Sequence, residues 1–154
     1  MTEIRNAREE DVAALVRFEI EISVVSFGVE AITDAAHHEN RLRKAMKKDG
    51  CAGMFVLMCG GEIAGWLWME RKTNFLTGDA YANFRSFYIT ENLRGKPESE
   101  DFLSYGIDWC KKQGLVRIAG KVHSSNLPMR ALYKKAGFRA THLTMELDTA
   151  EGRI

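Results

Sequence analysis

The decisive stretch of this sequence is Val122 to Phe138, which reads VHSSNLPMRALYKKAGF. Asn126 can cap a helix by accepting a backbone N–H, and Pro128 is tolerated in a first helical turn. Gly137 supplies the left-handed residue that ends a helix. The stretch therefore predicts a strand end, a short helix over Leu127–Ala136 and a sharp stop, with Tyr133 one turn before the glycine.

Composition predicts one folded domain over residues 1–148, followed by a frayed tail at 149–154. Hydrophobic residues make up 45% of the 154-residue chain and charged residues 28%, which are ordinary globular values. Two prolines leave no room for a long stiff linker. This composition argues against a disordered chain.

Charge and cysteine content indicate which partners and which cellular location to expect. The formal net charge is +1, which argues against partners such as nucleic acid or an anionic membrane. No apolar run approaches the roughly 18 residues of a membrane span, and the N-terminus lacks the basic-then-apolar pattern of a leader. Cys51, Cys59 and Cys110 are odd in number and show no C-x-x-C spacing, which favours reduced, buried thiols. We therefore expect a cytoplasmic protein.

The remaining pattern mixes strands and helices around one sheet, so the fold class is α/β or α+β. The two glycines at 60 and 61 predict a tight hairpin turn between two β-rich runs. Predicted strands lie at Glu3–Ala7, Met54–Cys59, Glu62–Arg71, Tyr81–Thr90, Leu115–Val122 and Phe138–Leu147. One predicted helix follows the acids at 9–11, and the others occupy Asp34–Lys48, Glu98–Gln113 and Leu127–Ala136.

Four segments, in order, resemble the GNAT acetyltransferase superfamily. They are Ile4–Ala7 with Asp11, the hairpin Gly61–Gly65, the run Phe87 to Lys96, and the block Asn126 to Phe138 with its Asn-x-x-x-x-Ala-Leu-Tyr-x-x-x-Gly-Phe order. The resemblance implies a twisted mixed sheet of six to seven strands, flanked by about four helices. It also implies that the sheet splays open between its fourth and fifth strands, with acyl-CoA in the gap.

The same resemblance assigns roles to particular residues. Acetyl-CoA would be the acyl donor, its thioester held by the main chain of Phe87, Tyr88 and Ile89. Tyr133 would return a proton to the departing thiolate, a role open to a phenol with a pKa near about 10. Asn126 would face the thioester arm. Each side chain also has a structural alternative, since Tyr133 can pack the helix on the sheet and Asn126 can serve as a cap alone.

The segment that corresponds to the family's pyrophosphate loop departs from the family pattern. It reads Arg94-Gly95-Lys96-Pro97-Glu98-Ser99, where the family has Arg/Gln-x-x-Gly-x-Gly/Ala. Pro97 removes a backbone N–H donor, and the acids Glu98, Glu100 and Asp101 would repel a diphosphate. Arg94, Gly95, Lys96 and Ser99 are nevertheless the residues expected to bind the phosphates.

No general base is evident on the predicted fourth strand. Asn83 stands where the family often has a glutamate, so His123 and Glu70 are the alternatives. The run His37-His38-Glu39 could suggest a metal site, but successive helical residues point to different sides, which favours a solvated helix face. We therefore expect no metal.

The leading hypothesis is an acetyl-CoA-dependent N-acetyltransferase acting on a primary amine of a small molecule or a protein. The alternative is a GNAT-fold binding or regulatory module whose CoA site has degenerated. A nucleic-acid-binding protein is a weaker option, because no aromatic-interleaved basic patch is present. Arg71, Lys72 and Arg85 weakly favour an acidic acceptor, and the family's tendency to dimerise allows a homodimer.

Overall fold

The computed structural model describes residues 1–150, which form five strands and four α-helices in this part of the chain. The strands are β1 (Thr2–Asn6), β2 (Met54–Cys59), β3 (Glu62–Thr73), β4 (Ala80–Ile89) and β5 (Ile118–Gly120). The helices are α1 (Val12–Phe27), α2 (Ala35–Asp49), α3 (Pro97–Lys112) and α4 (Leu127–Lys135). The predicted four-helix complement is confirmed.

The five strands make one mixed sheet in the order β1-β2-β3-β4-β5. Strands β1 to β4 are antiparallel neighbours, whereas β5 runs parallel to β4 after the crossover through α3. The predicted hairpin is confirmed, since Cys59 pairs with Glu62 across Gly60 and Gly61. Both glycines have positive φ, 60° and 82°, as a tight two-residue turn requires.

Helices cover both faces of the sheet and divide the core in two. On one face α1 and α2 bury Leu15 and Leu42 against Trp66, whose indole N–H donates to the buried Glu19 carboxylate at 3.1 Å. On the other face α3 and α4 bury Phe102 and Tyr133 in a second cluster with the sheet. The middle strands of the sheet are therefore covered on both sides.

A buried ion pair fixes the N-terminal strand to the start of α1. Arg5 donates two hydrogen bonds to the Asp11 carboxylate, at 2.8 and 3.0 Å, and the Arg8 main-chain N–H donates a third. Burial by itself would raise the pKa of Asp11. The hydrogen bonds from Arg5 and Arg8 outweigh that effect and hold the pKa below its ordinary value.

The expectation of six to seven strands is wrong, because five form within residues 1–150. The segment Phe138–Leu147 has the alternation of a strand, yet it pairs with no other strand of the described chain. Its apolar residues Leu143, Met145 and Leu147 are 83 to 85% exposed. Alternation of apolar and polar residues predicts which face of a strand is buried. A strand also needs the edge of a neighbouring strand to pair with.

The fifth strand is also shorter than predicted. Pairing covers Ile118–Gly120 rather than Leu115–Val122, because β5 has a neighbour on one side alone and diverges from it after three residue pairs. Leu115 is buried, but it lies in the connection before the strand.

The expected solvated face of α2 is contradicted at one position. His38 is 3% exposed, and its Nε2 lies 2.7 Å from the Ile32 carbonyl oxygen. It anchors the connection between α1 and α2, while Glu39 is exposed as expected and His37 is half-buried. Within residues 1–150, no helix has the length and apolar content that a membrane crossing requires.

Candidate active site

The sheet opens between β4 and β5. Their pairing consists of Ala82 with Ile118, Asn83 with Ala119 and Phe84 with Gly120, and it stops there. Strand β4 continues to Ile89 with β3 on its other side. The β5-facing edge of β4 is therefore unpaired by any described strand from residue 85 onward, as the splayed sheet implied by the family resemblance requires.

A β-bulge lies where the two strands part. Trp68 pairs with Ser86 and Met69 pairs with Phe84, which leaves Arg85 as the extra residue of β4. Such a bulge reverses the alternation of the strand that carries it. As a result Phe84 and Phe87, three residues apart, pack in the same cluster against α3 and α4.

The main chain beyond the bulge presents hydrogen-bonding groups to the opening. Thr90 donates its N–H to Ala64 of β3 at 2.9 Å, so alternation directs Ile89 and Phe87 away from β3. The Ile89 carbonyl accepts a 2.8 Å hydrogen bond from Arg94 Nε on that side, in agreement. The N–H groups of Phe87 and Ile89 therefore face the gap, while those of Tyr88 face β3.

Tyr133 stands beside the point of divergence. Its ring packs edge to face on Phe84 and Phe138, with centroids 5.6 and 4.8 Å apart. Its hydroxyl lies against Gly120, so closely that a methyl group there would collide with it. Burial raises the pKa of Tyr133 to about 12, with no hydrogen bond from the described chain contributing. The phenol thus stays protonated and holds an unused donor.

The segment between β5 and α4 contains Asn126 and His123. Asn126 Oδ1 accepts the Met129 N–H at 3.3 Å, so the predicted cap is present. His123 lies in the exposed turn ahead of it, where its Nδ1 is 2.7 Å from the Ser125 hydroxyl. The structure brings Asn126 and Tyr133 onto one short helix, with His123 outside the buried part of the site.

The loop that departs from the family pattern forms a tight start to α3. Gly95 has a φ of 75°, which favours glycine, and Pro97 occupies the first helical turn. The N–H groups of Lys96 and Ser99 donate within the loop, to Leu93 and Lys96 at 3.2 and 3.1 Å. Main-chain donors at Gly95 and Glu98 are not used in this way.

The two acids of this first turn differ in their contacts with the rest of the protein. Glu100 forms an ion pair with Lys135 of α4, and one carboxylate oxygen of Glu98 is buried without a partner in residues 1–150. Arg94 is also engaged, because its guanidinium lies over the Tyr88 ring, 5.4 Å from the centroid. Lys96, like Arg94, is exposed.

Glu70, one of the candidate bases, lies in an ion-pair network on β3 and β4. Its Oε1 accepts from Arg85 at 3.0 Å and from Asn83 at 3.5 Å, with the Lys72 ammonium 3.7 Å away. Burial would raise the pKa of Glu70, but the Arg85 hydrogen bond and the nearby cations lower it overall. A carboxylate held in this way is a weak base.

Sequence reasoning missed a carboxylate on α1. Glu21 accepts a hydrogen bond from the Tyr88 hydroxyl, and the Tyr88 ring stacks on Phe18 with centroids 4.3 Å apart. Burial, followed by the contact with Glu21, raises the pKa of Tyr88. Glu21 lies among the apolar positions of α1. No local sequence pattern could predict its contact with Tyr88, which is 67 residues away in the chain.

Comparison with known proteins agrees with this geometry. The sequence model of the Acetyltransferase (GNAT) family matches residues 18–138. The chain therefore belongs to the GNAT acetyltransferase family. No curated protein sequence matches it.

Solved structures show the same fold at low sequence identity. A "possible acetyltransferase" from Clostridium difficile 630 is 18% identical, with a TM-score of 0.76 over 98% of this chain and 99% of that one. The aminoglycoside N-acetyltransferase AAC(6')-Iy, solved in complex with CoA, is 11% identical, with a TM-score of 0.75 over 97% and 95%. A transcriptional regulator from Bacillus halodurans C-125 is 20% identical, with a TM-score of 0.74 over 96% and 99%.

Proposed function

We propose that this protein is an acetyl-CoA-dependent N-acetyltransferase that acetylates a primary amine of a small molecule or a protein. The observation that carries the proposal is the open edge of β4. There the N–H groups of Phe87 and Ile89 face the gap, and the Tyr133 hydroxyl, beside Gly120, has no hydrogen-bond partner within residues 1–150. Membership of the GNAT family supports it.

Acetyl-CoA supplies the acetyl group as an activated thioester. In our proposal the outward N–H groups of the Phe87–Ile89 segment polarise the thioester carbonyl, because preorganised donors stabilise the charge that develops on its oxygen. Tyr88 contributes its position in the strand, while its side chain packs against α1. Asn126 holds the start of α4 in place beside the thioester arm.

Tyr133 would donate a hydrogen bond to the sulfur as negative charge develops there. Its pKa of about 12 compares with about 8.5 for a free thiol, so complete transfer of the phenolic proton would be uphill by about 5 kcal/mol. The structure thus favours a hydrogen-bond donor over full proton transfer. The departing thiolate would then take its proton from solvent or from the acceptor ammonium.

The phosphates of the donor would lie at the start of α3. Gly95 and Glu98 offer main-chain N–H groups, Lys96 and Arg94 offer positive charge, and Ser99 lies in the same turn. Pairing of Glu100 with Lys135 reduces the repulsion that the sequence predicts. Loss of one donor at Pro97 should weaken the site without removing it.

The acceptor amine must be deprotonated before it attacks. At pH 7 this costs about 4–5 kcal/mol for an amine with a pKa near about 10.4. Glu70 is committed to its ion pairs, so we assign an exposed carboxylate of α1 to this task. That carboxylate is Glu21, beside Tyr88 on the α1 face of β4.

A GNAT-fold binding or regulatory module is the second candidate. The proline in the first turn of α3 and the asparagine at position 83 favour it, and one structural neighbour is described as a transcriptional regulator. Calorimetric titration with acetyl-CoA separates the two. Saturable binding together with acetyl transfer to an amine supports the enzyme, whereas absence of heat at millimolar acetyl-CoA would exclude it.

Three further expectations accompany the proposal. We propose a single domain over residues 1–148 and a cytoplasmic location, and a homodimer remains a prediction. The frayed tail was predicted for residues 149–154, of which 151–154 lie outside the described residues.

A further inference from the structure

A cationic cluster lies on the α1 face of the sheet, immediately before the opening. Arg85 donates to Glu70 at 3.0 Å, and its guanidinium lies 4.6 Å from the centre of the buried Trp68 ring. Lys72 lies 3.7 Å from the same Glu70 oxygen. Two cations thus converge on one oxygen of one carboxylate, with Asn83 as a further donor.

The charges of this cluster do not cancel. Glu70 carries one negative charge and faces both Arg85 and Lys72, which leaves a formal excess of one positive charge. Arg85 uses one terminal nitrogen for Glu70, and a guanidinium has further N–H donors. Its side chain is 27% exposed and that of Lys72 is 46% exposed, so an anion from solvent can reach both.

The position of the cluster connects it to the gap. Arg85 is the bulge residue, one place after the last β4 residue that pairs with β5. Its contact with Trp68 puts it on the same face of the sheet as Tyr88 and α1. Phe87, whose N–H faces the gap, lies two residues further, about 7 Å along the strand.

We propose that the Arg85–Lys72 cluster binds an anionic group of the acceptor, so that the preferred substrate is an amine that also carries a carboxylate or a phosphate. This inference rests on the proposed N-acetyltransferase function. A guanidinium fork beside an ammonium matches such an anion in charge and in hydrogen-bonding geometry. The spacing to Phe87 suits a short aminocarboxylate whose amine reaches the opening.

The first test compares acceptors in matched pairs with acetyl-CoA as donor. γ-Aminobutyrate against butylamine tests the carboxylate, and O-phosphoethanolamine against ethanolamine tests the phosphate. We expect kcat/KM to favour the anionic member of at least one pair by about tenfold or more. Equal efficiency within both pairs, or preference for the polycation spermidine, would overturn the inference while leaving acetyl transfer established.

The second test alters the cluster. Arg85→Gln should raise KM for the anionic acceptor by about tenfold or more, and Arg85→Lys should restore part of the loss because it keeps the charge. The matched control is Arg71→Gln, since Arg71 is exposed on β3 between Glu70 and Lys72 and alternation directs it to the other face. An equal effect of both substitutions would contradict a specific role for Arg85.

Loss of Arg85 alone leaves Glu70 with one fewer partner, so a folding defect must be separated from a binding defect. The double variant Arg85→Gln with Glu70→Gln removes both charges together. The double variant should have a melting temperature close to that of the wild type. Its KM for the anionic acceptor should be raised as in Arg85→Gln. A double variant that binds the anionic acceptor as wild type does would refute the assignment.

A dianion without an amine tests the cluster independently of catalysis. Glutarate should shift the Trp68 indole N–H resonance in wild-type protein and leave it unshifted in Arg85→Gln. No shift at tens of millimolar glutarate would overturn the inference. If glutarate shifts the Trp68 resonance but the protein acetylates no amine, the proposed enzymatic function would be refuted and the anion-binding site supported.

Discussion

Replacement of Tyr133 by phenylalanine removes the hydroxyl and keeps the ring that packs on Phe84 and Phe138. The substitution therefore separates the two roles that the sequence allows for this residue. A packing residue should tolerate it, because the ring contacts remain. A residue that donates to the departing sulfur should not.

The expected loss of activity follows from the strength of one hydrogen bond. A neutral donor to a charged acceptor contributes about 1.5–3 kcal/mol, and each 1.36 kcal/mol corresponds to about tenfold in rate. We therefore expect Tyr133→Phe to lower kcat by about ten- to 150-fold. KM for acetyl-CoA should change little, because the interaction strengthens as charge develops.

The expected change in stability is smaller than that of most buried tyrosines. No hydrogen bond of the described chain contributes to the raised pKa of Tyr133, and its side chain is 9% exposed. Removing a hydroxyl that has no hydrogen-bond partner in residues 1–150 should leave the free energy of unfolding nearly unchanged. A hydrogen-bonded tyrosine would instead lose about 1 kcal/mol.

The assay pairs release of free CoA thiol with thermal unfolding for wild type and variant. Tyr105→Phe on α3 is the control, since Tyr105 is 41% exposed and also contacts an aromatic ring. Unchanged kcat together with a lower melting temperature in Tyr133→Phe would show that the hydroxyl is structural. That result would remove Tyr133 from the mechanism.

Three further substitutions test the surroundings of the site and the N-terminal anchor. Gly120→Ala should lower kcat at least as far as Tyr133→Phe and destabilise the fold by about 1–3 kcal/mol in chemical denaturation, because the new methyl group collides with the phenol. Pro97→Ala should tighten acetyl-CoA binding by about two- to tenfold in calorimetry by restoring one N–H donor, and unchanged affinity would place the phosphates elsewhere. The pKa of Asp11 in the folded state lies below its ordinary value. The stability that Asp11 contributes should therefore be complete above about pH 4 and disappear as pH falls through the folded-state pKa. Asp11→Asn should therefore destabilise the protein at pH 7 by about 3 kcal/mol in urea unfolding and much less at pH 2; equal losses at both values would argue against the ion pair with Arg5.

Local sequence signals predicted most of the elements that form the site. The Asn126 cap and the Gly137 stop defined α4, and the structure ends that helix one residue before the prediction. The glycine pair at 60 and 61 defined the central hairpin. These features depend on backbone conformation and hydrogen bonding within a few residues, which the sequence displays directly.

The final strand shows where a local signal is insufficient. Leu143, Met145 and Leu147 alternate as a strand should, but pairing requires an edge supplied by another segment. Similarly, the helical position of His38 suggested a solvated face, whereas packing against the α1–α2 connection buries it. In both cases packing between segments, rather than the periodicity within one segment, determined the outcome.

By itself the sequence determined the helix boundaries, the hairpin and the order of motifs that identifies the GNAT fold, because these depend on residues close together in the chain. Only the tertiary structure decided which side chains meet at the opening: Glu21 with Tyr88, Arg85 with Glu70, and Tyr133 with Gly120. It also decided the direction of the pKa shifts of Tyr88, Glu70 and Tyr133. Burial and the approach of opposite charges arise when separate elements pack, and no single segment contains that information.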